Sequence, residues 1–103
     1  MSELTGVVLD FEGVDFIDSQ GSKKLDEILE LAHQAGATLR LARLKPGVRD
    51  VLVRDGVFDR IGEDRIHGNV HQAVEFQRVA WRAVVRTSQK ASDDLTGVIG
   101  TLR

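Results

Sequence analysis

The 103-residue chain contains no cysteine. That absence excludes disulfide scaffolds, cysteine-ligated zinc, thiol catalysis and thiol redox sensing together, and it fits a reducing compartment. Long apolar runs are missing as well, since nothing approaches the roughly 18–20 residues needed to cross a bilayer. The opening Met1-Ser2-Glu3-Leu4 is not a charged-then-apolar secretory leader. There is no large excess of either charge, the net being −2. A basic stripe with interleaved aromatics is also lacking, so the chain is not expected to bind nucleic acid. What remains is a globular composition, 42% hydrophobic and 29% charged, of the size of one small domain. The expectation is a soluble, cytoplasmic domain without direct membrane insertion.

The charge is unevenly spread. Residues 1–39 carry two lysines against eight acids, and residues 40–103 carry twelve basic residues against eight acids. The N-terminal part is thus the acidic one, a split that can orient a partner. Solvated helix charges are the more ordinary account of it.

Val7-Val8-Leu9-Asp10-Phe11 is a short apolar run between Gly6 and Gly13 and predicts a buried strand, with Asp10 its one polar residue. Phe16 and Ile17 are expected to return to the core. Asp18 and Ser19 are both N-cap types and open a helix to about Ala35, with Leu25, Ile28, Leu29 and Ala32 on one face and Gly36 as its stop. Residues 38–42 read as a second strand. Pro46 suits a first helical turn, and Val48, Val51 and Leu52 form the inner face of a helix that Gly56 ends. Val57, Phe58 and Ile61 suggest a brief third strand. Asn69 with Gln72 makes a capping box, and Val70, Ala73, Val74, Gln77 and Trp81 predict a helix reaching about Arg86. Beyond Thr87, Gly97 and Gly100 interrupt Leu95, Val98, Ile99 and Leu102, which predicts a frayed or partner-dependent tail.

Alternating strands and helices with short loops imply an α/β fold, a small, mostly parallel β-sheet packed with helices. Two strands and a possible third are fewer than such helices need. In open α/β sheets the functional position lies where a strand's carboxyl end leads into a helix N-terminus. Here that segment is Asp15-Phe16-Ile17-Asp18-Ser19-Gln20-Gly21. A phosphate on Ser19 gains from the helix start and from Lys23 four residues on, and is opposed by Asp15 and Asp18. The segment therefore reads either as a charge-sensitive switch or as a plain helix cap.

The stretch from Val7 through Asp18-Ser19-Gln20-Gly21 resembles the signature of STAS domains, shared by anti-sigma factor antagonists and the cytoplasmic C-termini of SulP-type anion (sulfate-class) transporters. Ala37-Thr38-Leu39-Arg40-Leu41-Ala42-Arg43, Pro46-Gly47-Val48-Arg49, Asp55-Gly56-Val57, Ile61-Gly62 and Ile66-His67-Gly68-Asn69-Val70-His71-Gln72-Ala73-Val74 are similar to the transporter branch. The resemblance implies that Ser19 is the phosphorylation site, that Asp18 holds the cap, and that Gly21 leaves room for a partner or phosphate. It also implies that the family's usual N-terminal strands are missing, and hence an open sheet edge that invites a homodimer. A STAS-like domain is then expected over residues 1–78, with a helix end and flexible tail over 79–103.

The remaining signals are weak. His67 and His71 stand four apart, but Gly68 and Asn69 place His67 ahead of the helix, so no metal site is expected. Asp93 with Asp94, and Glu63 with Asp64, read as loop or capping charges, and nothing marks a nucleophile triad around Ser19. No catalytic residue is expected. No phosphate-cradling glycine motif is present, so no cofactor is expected and nucleotide binding is the weakest alternative. The function expected is regulatory. The chain would be the STAS domain of a SulP-type sulfate/anion transporter, contacting the transporter's membrane part or a regulatory protein through residues 15–21. That location is cytoplasmic, at the inner face of the plasma membrane. The alternative is an anti-sigma factor antagonist switched by serine phosphorylation.

Overall fold

The computed structural model describes residues 5–68, 78–84 and 91–102. Strand β1 (Thr5–Asp10) leads through a turn into helix α1 (Ser19–Gln34), followed by strand β2 (Ala37–Ala42) and helix α2 (Pro46–Arg54). A short helix α3 (Val57–Ile61), a 3-10 turn (Glu63–Arg65) and strand β3 (Ile66–His67) come next. Strand β4 (Arg78–Val84) and helix α4 (Ala91–Leu102) complete the described chain. The four strands form one sheet in the order β3-β2-β1-β4, and every pairing is parallel. The α/β class expected from the sequence is the one found.

The local signals act as chemistry requires. Asp18 caps α1, its carboxylate accepting the Gly21 N–H at 2.8 Å. Gly36 at φ +74° and Gly56 at φ +80° close α1 and α2 in a conformation that a Cβ disfavours. Pro46 sits in the first turn of α2, where its missing N–H costs nothing. Val7, Leu9, Leu39 and Leu41 of the two central strands pack with Leu25, Ile28, Val48, Leu52, Val57, Phe58 and Ile61 in one core.

Four expectations need correction. Residues 57–61 are helical, because the left-handed Gly56 restarts the chain at an angle that buries Val57, Phe58 and Ile61 together. Phe16 is 54% exposed while its neighbours Val14 and Ile17 are buried, so only Ile17 of the pair returns to the core. Residues 78–84 are a strand, not the end of a helix; the expected helix start at 69–77 lies outside the described residues. Residues 91–102 are a helix packed on α1, with Leu95, Val98 and Ile99 buried. Burying three such side chains contributes about 1.5–3 kcal/mol each, against about 1 kcal/mol for each glycine in the helix.

The last two corrections bear on the sheet. Gly6, Val7, Val8, Leu9 and Asp10 are all buried, so β1 needs a neighbour on each side. It has β2 on one edge and β4 on the other. The edge of β1 away from β2 is therefore filled by the chain's own C-terminal part.

Candidate functional site at the start of helix α1

The carboxyl ends of the strands carry an ionic frame. Asp10, 7% exposed at the end of β1, accepts from Arg43 Nη2 at 2.8 Å and from the Glu12 N–H at 3.0 Å. Arg43 also reaches Glu12 at 2.8 Å, and it stands at φ +57°, a costly conformation for a residue with a side chain. The Asp10 partnership explains why the single charged residue of β1 is tolerated. Lys45, just ahead of α2, pairs with Asp15 at 2.7 Å and ties the loop of residues 15–21 to the second helix. Gly47 completes that contact: a Cβ there would come within 2.9 Å of the Asp15 carbonyl oxygen.

Ser19 is the first residue of α1 and is exposed. Its hydroxyl accepts from Arg54 Nη2 at 3.1 Å, a residue 35 positions away at the end of α2. The same guanidinium holds Asp55 through Nε at 3.0 Å. Arg54 first, and the Ser22 hydroxyl second, hold the Asp55 carboxyl below the usual carboxylate range. Ser22 is 1% exposed, and its Oγ meets no partner in full hydrogen-bond geometry, so its effect on Asp55 is the weaker of the two. Ser19, Ser22, Lys23, Asp26, Asp55 and Val57 line a shallow depression of about 350 Å³. Asp26 on its rim is paired with Arg60.

The expected site residues are thus divided. Ser19 and Lys23 share the depression, Asp18 caps the helix beneath it, and Asp15 faces away toward Lys45. Gly21 has a different role from the one expected. It is buried, and a Cβ there would fall 2.4 Å from Ile17 Cγ1, so the space it leaves is filled by the loop's own anchor and not by a ligand. Arg54 and Asp55 escaped sequence reasoning. The adjoining Asp55-Gly56-Val57 marked a helix end, but nothing local joined that end to Ser19.

Of the two histidines four apart, His67 lies on β3, where its Nε2 is 3.1 Å from Arg40 Nη1, and His71 lies outside the described residues. Burial, then Arg40, lowers the His67 pKa, and burial, then Arg65, lowers that of Arg40. Among the described residues no three metal-ligating side chains come together, and no helix is long and apolar enough to cross a membrane.

A parallel sheet with a capped helix start at its carboxyl edge defines a small α/β domain with a polar site at a strand-to-helix turn. The family model of the STAS domain matches residues 2–73, and the chain belongs to that family. No curated protein matches the chain. Membership supports a regulatory or interaction role in general.

Proposed function

We propose that the domain regulates by contact and not by chemistry, through the surface formed by residues 15–21 and the end of α2. The observation that carries this reading is the exposed Ser19 hydroxyl, at the first residue of a 16-residue helix and held by Arg54 at 3.1 Å. A phosphoryl group there adds roughly −2 in charge, beside one guanidinium and one ammonium, Lys23, and at the positive end of the helix. The potential of the contact surface then becomes locally more negative without any need to unfold α1. Asp18 keeps the cap, because its acceptor bond is to Gly21 and does not involve Ser19.

The parent system we favour is a SulP-type anion transporter, with the domain on the cytoplasmic face against the membrane part. The order of the segments from Ala37 to Val74 supports that reading. The second reading, an anti-sigma factor antagonist switched by a serine kinase, is supported by the accessibility of Ser19 itself. Fractionation of the native polypeptide separates them. Sedimentation with membranes supports the transporter reading. A soluble product of about this length that shifts on phosphate-affinity gels, with the shift lost in Ser19→Ala, supports the antagonist.

A further inference from the structure

The sheet leaves a gap at the start of β2. β3 pairs with β2 only at Leu41 and Ala42, so among the described residues no strand lies beside Ala37–Leu39 on that side. Peptide groups alternate in direction along a strand. The Ala42 carbonyl accepts the Phe11 N–H on the β1 side, so the peptide groups of Ala37 and Leu39 turn to the outer edge. Side chains from other elements close the gap instead. Leu29 and His33 of α1, Arg60 and Ile61 of α3 and Arg65 of the 3-10 turn enclose, with Ala37–Leu39, a cavity of about 220 Å³. A second depression shares Leu29, His33 and Arg60 with it.

The polar side chains of this lining are two guanidiniums, the His33 imidazole and the Thr38 hydroxyl, all able to donate, and no carboxylate stands among them. Arg65 is placed there by its turn. Its Nη1 donates to the Ile61 carbonyl at 3.1 Å, which also satisfies the end of α3. Gly62, at φ +99°, leaves the room for it, since a Cβ would come within 2.9 Å of that nitrogen. Arg60 is paired with Asp26 and with Glu30 at 3.7 Å, and Asp64 stands 3.9 Å from Arg65, yet none of the three lines the cavity. Burial first, then the Arg65 charge, lowers the pKa of neighbouring Arg40, and Asp64 offsets them only in part. The last carbonyls of α1, at Leu31, Ala32 and His33, already accept from the Ala35 and Gly36 N–H groups. The remaining wall is apolar, made by Leu29, Leu39 and Ile61.

We infer that this cavity binds a small aliphatic carboxylate, its charged end between Arg60 and Arg65 and its hydrocarbon body against Leu29, Leu39 and Ile61. A guanidinium presents paired N–H groups that match the two carboxylate oxygens, so two of them supply both charge and orientation. The volume equals that of roughly seven water molecules, which limits the ligand to about seven heavy atoms. A bare inorganic anion leaves the apolar wall without a partner, and an uncharged isostere leaves the guanidiniums without one. The cavity lies at the start of β2, whereas Ser19 follows the carboxyl end of β1, so the two sites are tested separately.

The test is a nitrogen-15 HSQC titration of the full chain with 3-methylbutanoate, repeated with 3-methylbutanamide and with inorganic phosphate. Saturable shifts are expected at the amides of residues 37–39 and 60–65, with a dissociation constant of about 1 mM or below. The amide and phosphate are expected to bind at least about tenfold more weakly, and Arg65→Gln to weaken the carboxylate by about tenfold. Arg60→Gln, at an exposed position, provides the same reading where the change at Arg65 disturbs its turn. Absence of saturation to about 50 mM overturns the inference, as do shifts centred on other residues or binding that both variants retain. Equal binding of the amide or of phosphate overturns it as well, since the site then selects neither the charge nor the aliphatic body.

Discussion

Arg54 illustrates how much of the site depends on one side chain. It is exposed, and it divides its donors between Ser19 and Asp55, so its removal leaves no buried group unpaired. Arg54→Ala is expected to change stability by no more than about 0.5 kcal/mol, as surface substitutions do. In a chain phosphorylated at Ser19, the same change should raise the second pKa of the phosphoserine, because a cation that favours the dianion is lost. A phosphorus NMR titration reads that shift. Gly21 depends on space. Gly21→Ala sets a Cβ against Ile17 and is expected to cost about 1–3 kcal/mol, measured by urea unfolding. His67 adds a pH dependence. Its folded pKa lies below its ordinary value, so between the two the unfolded chain binds more protons. Its contribution to stability is complete above the ordinary histidine range and is lost as pH falls through the folded value. Urea midpoints against pH should show that fall, and His67→Gln should flatten it.

At the scale of elements, what the sequence discloses depends on how local each cause is. The cap at Asp18, the stops at Gly36 and Gly56 and the Pro46 start are decided within a few residues, and the sequence reading placed α1, β2 and α2 near their observed bounds. β4 is decided elsewhere. Residues 70, 73, 74, 77 and 81 have helical spacing, yet residues 78–84 are drawn into the sheet by β1, more than 60 positions away, whose buried faces require a second neighbour. The same limit applies within the site. Ser19 and Asp18 were legible as a helix start, while Arg54 comes to Ser19 only because α2 ends beside the start of α1. α4 provides the check on packing. Leu95 is fully buried, so Leu95→Ala is expected to cost about 2–5 kcal/mol in chemical unfolding, whereas a frayed tail would register almost nothing.

For the whole molecule, the uneven charge acquires a location. The acidic N-terminal part contains β1, the loop of residues 15–21 and α1, with Lys23 among the site's cations, and two further cations, Arg54 and Lys45, reach the loop and Ser19 from the basic part. The two parts meet where the sheet's carboxyl edge faces the start of α1, so one added phosphoryl group acts where their charges already balance. The central claim is that the state of Ser19 governs a contact. The most direct measurement is phosphosite mapping of the native protein, read together with retention of its bound partner by the native chain, Ser19→Ala and Ser19→Glu. The account predicts phosphate on the peptide containing Ser19, with partner retention differing between the alanine and glutamate chains. A Ser19 peptide that is never modified, with equal retention by all three chains, would contradict it.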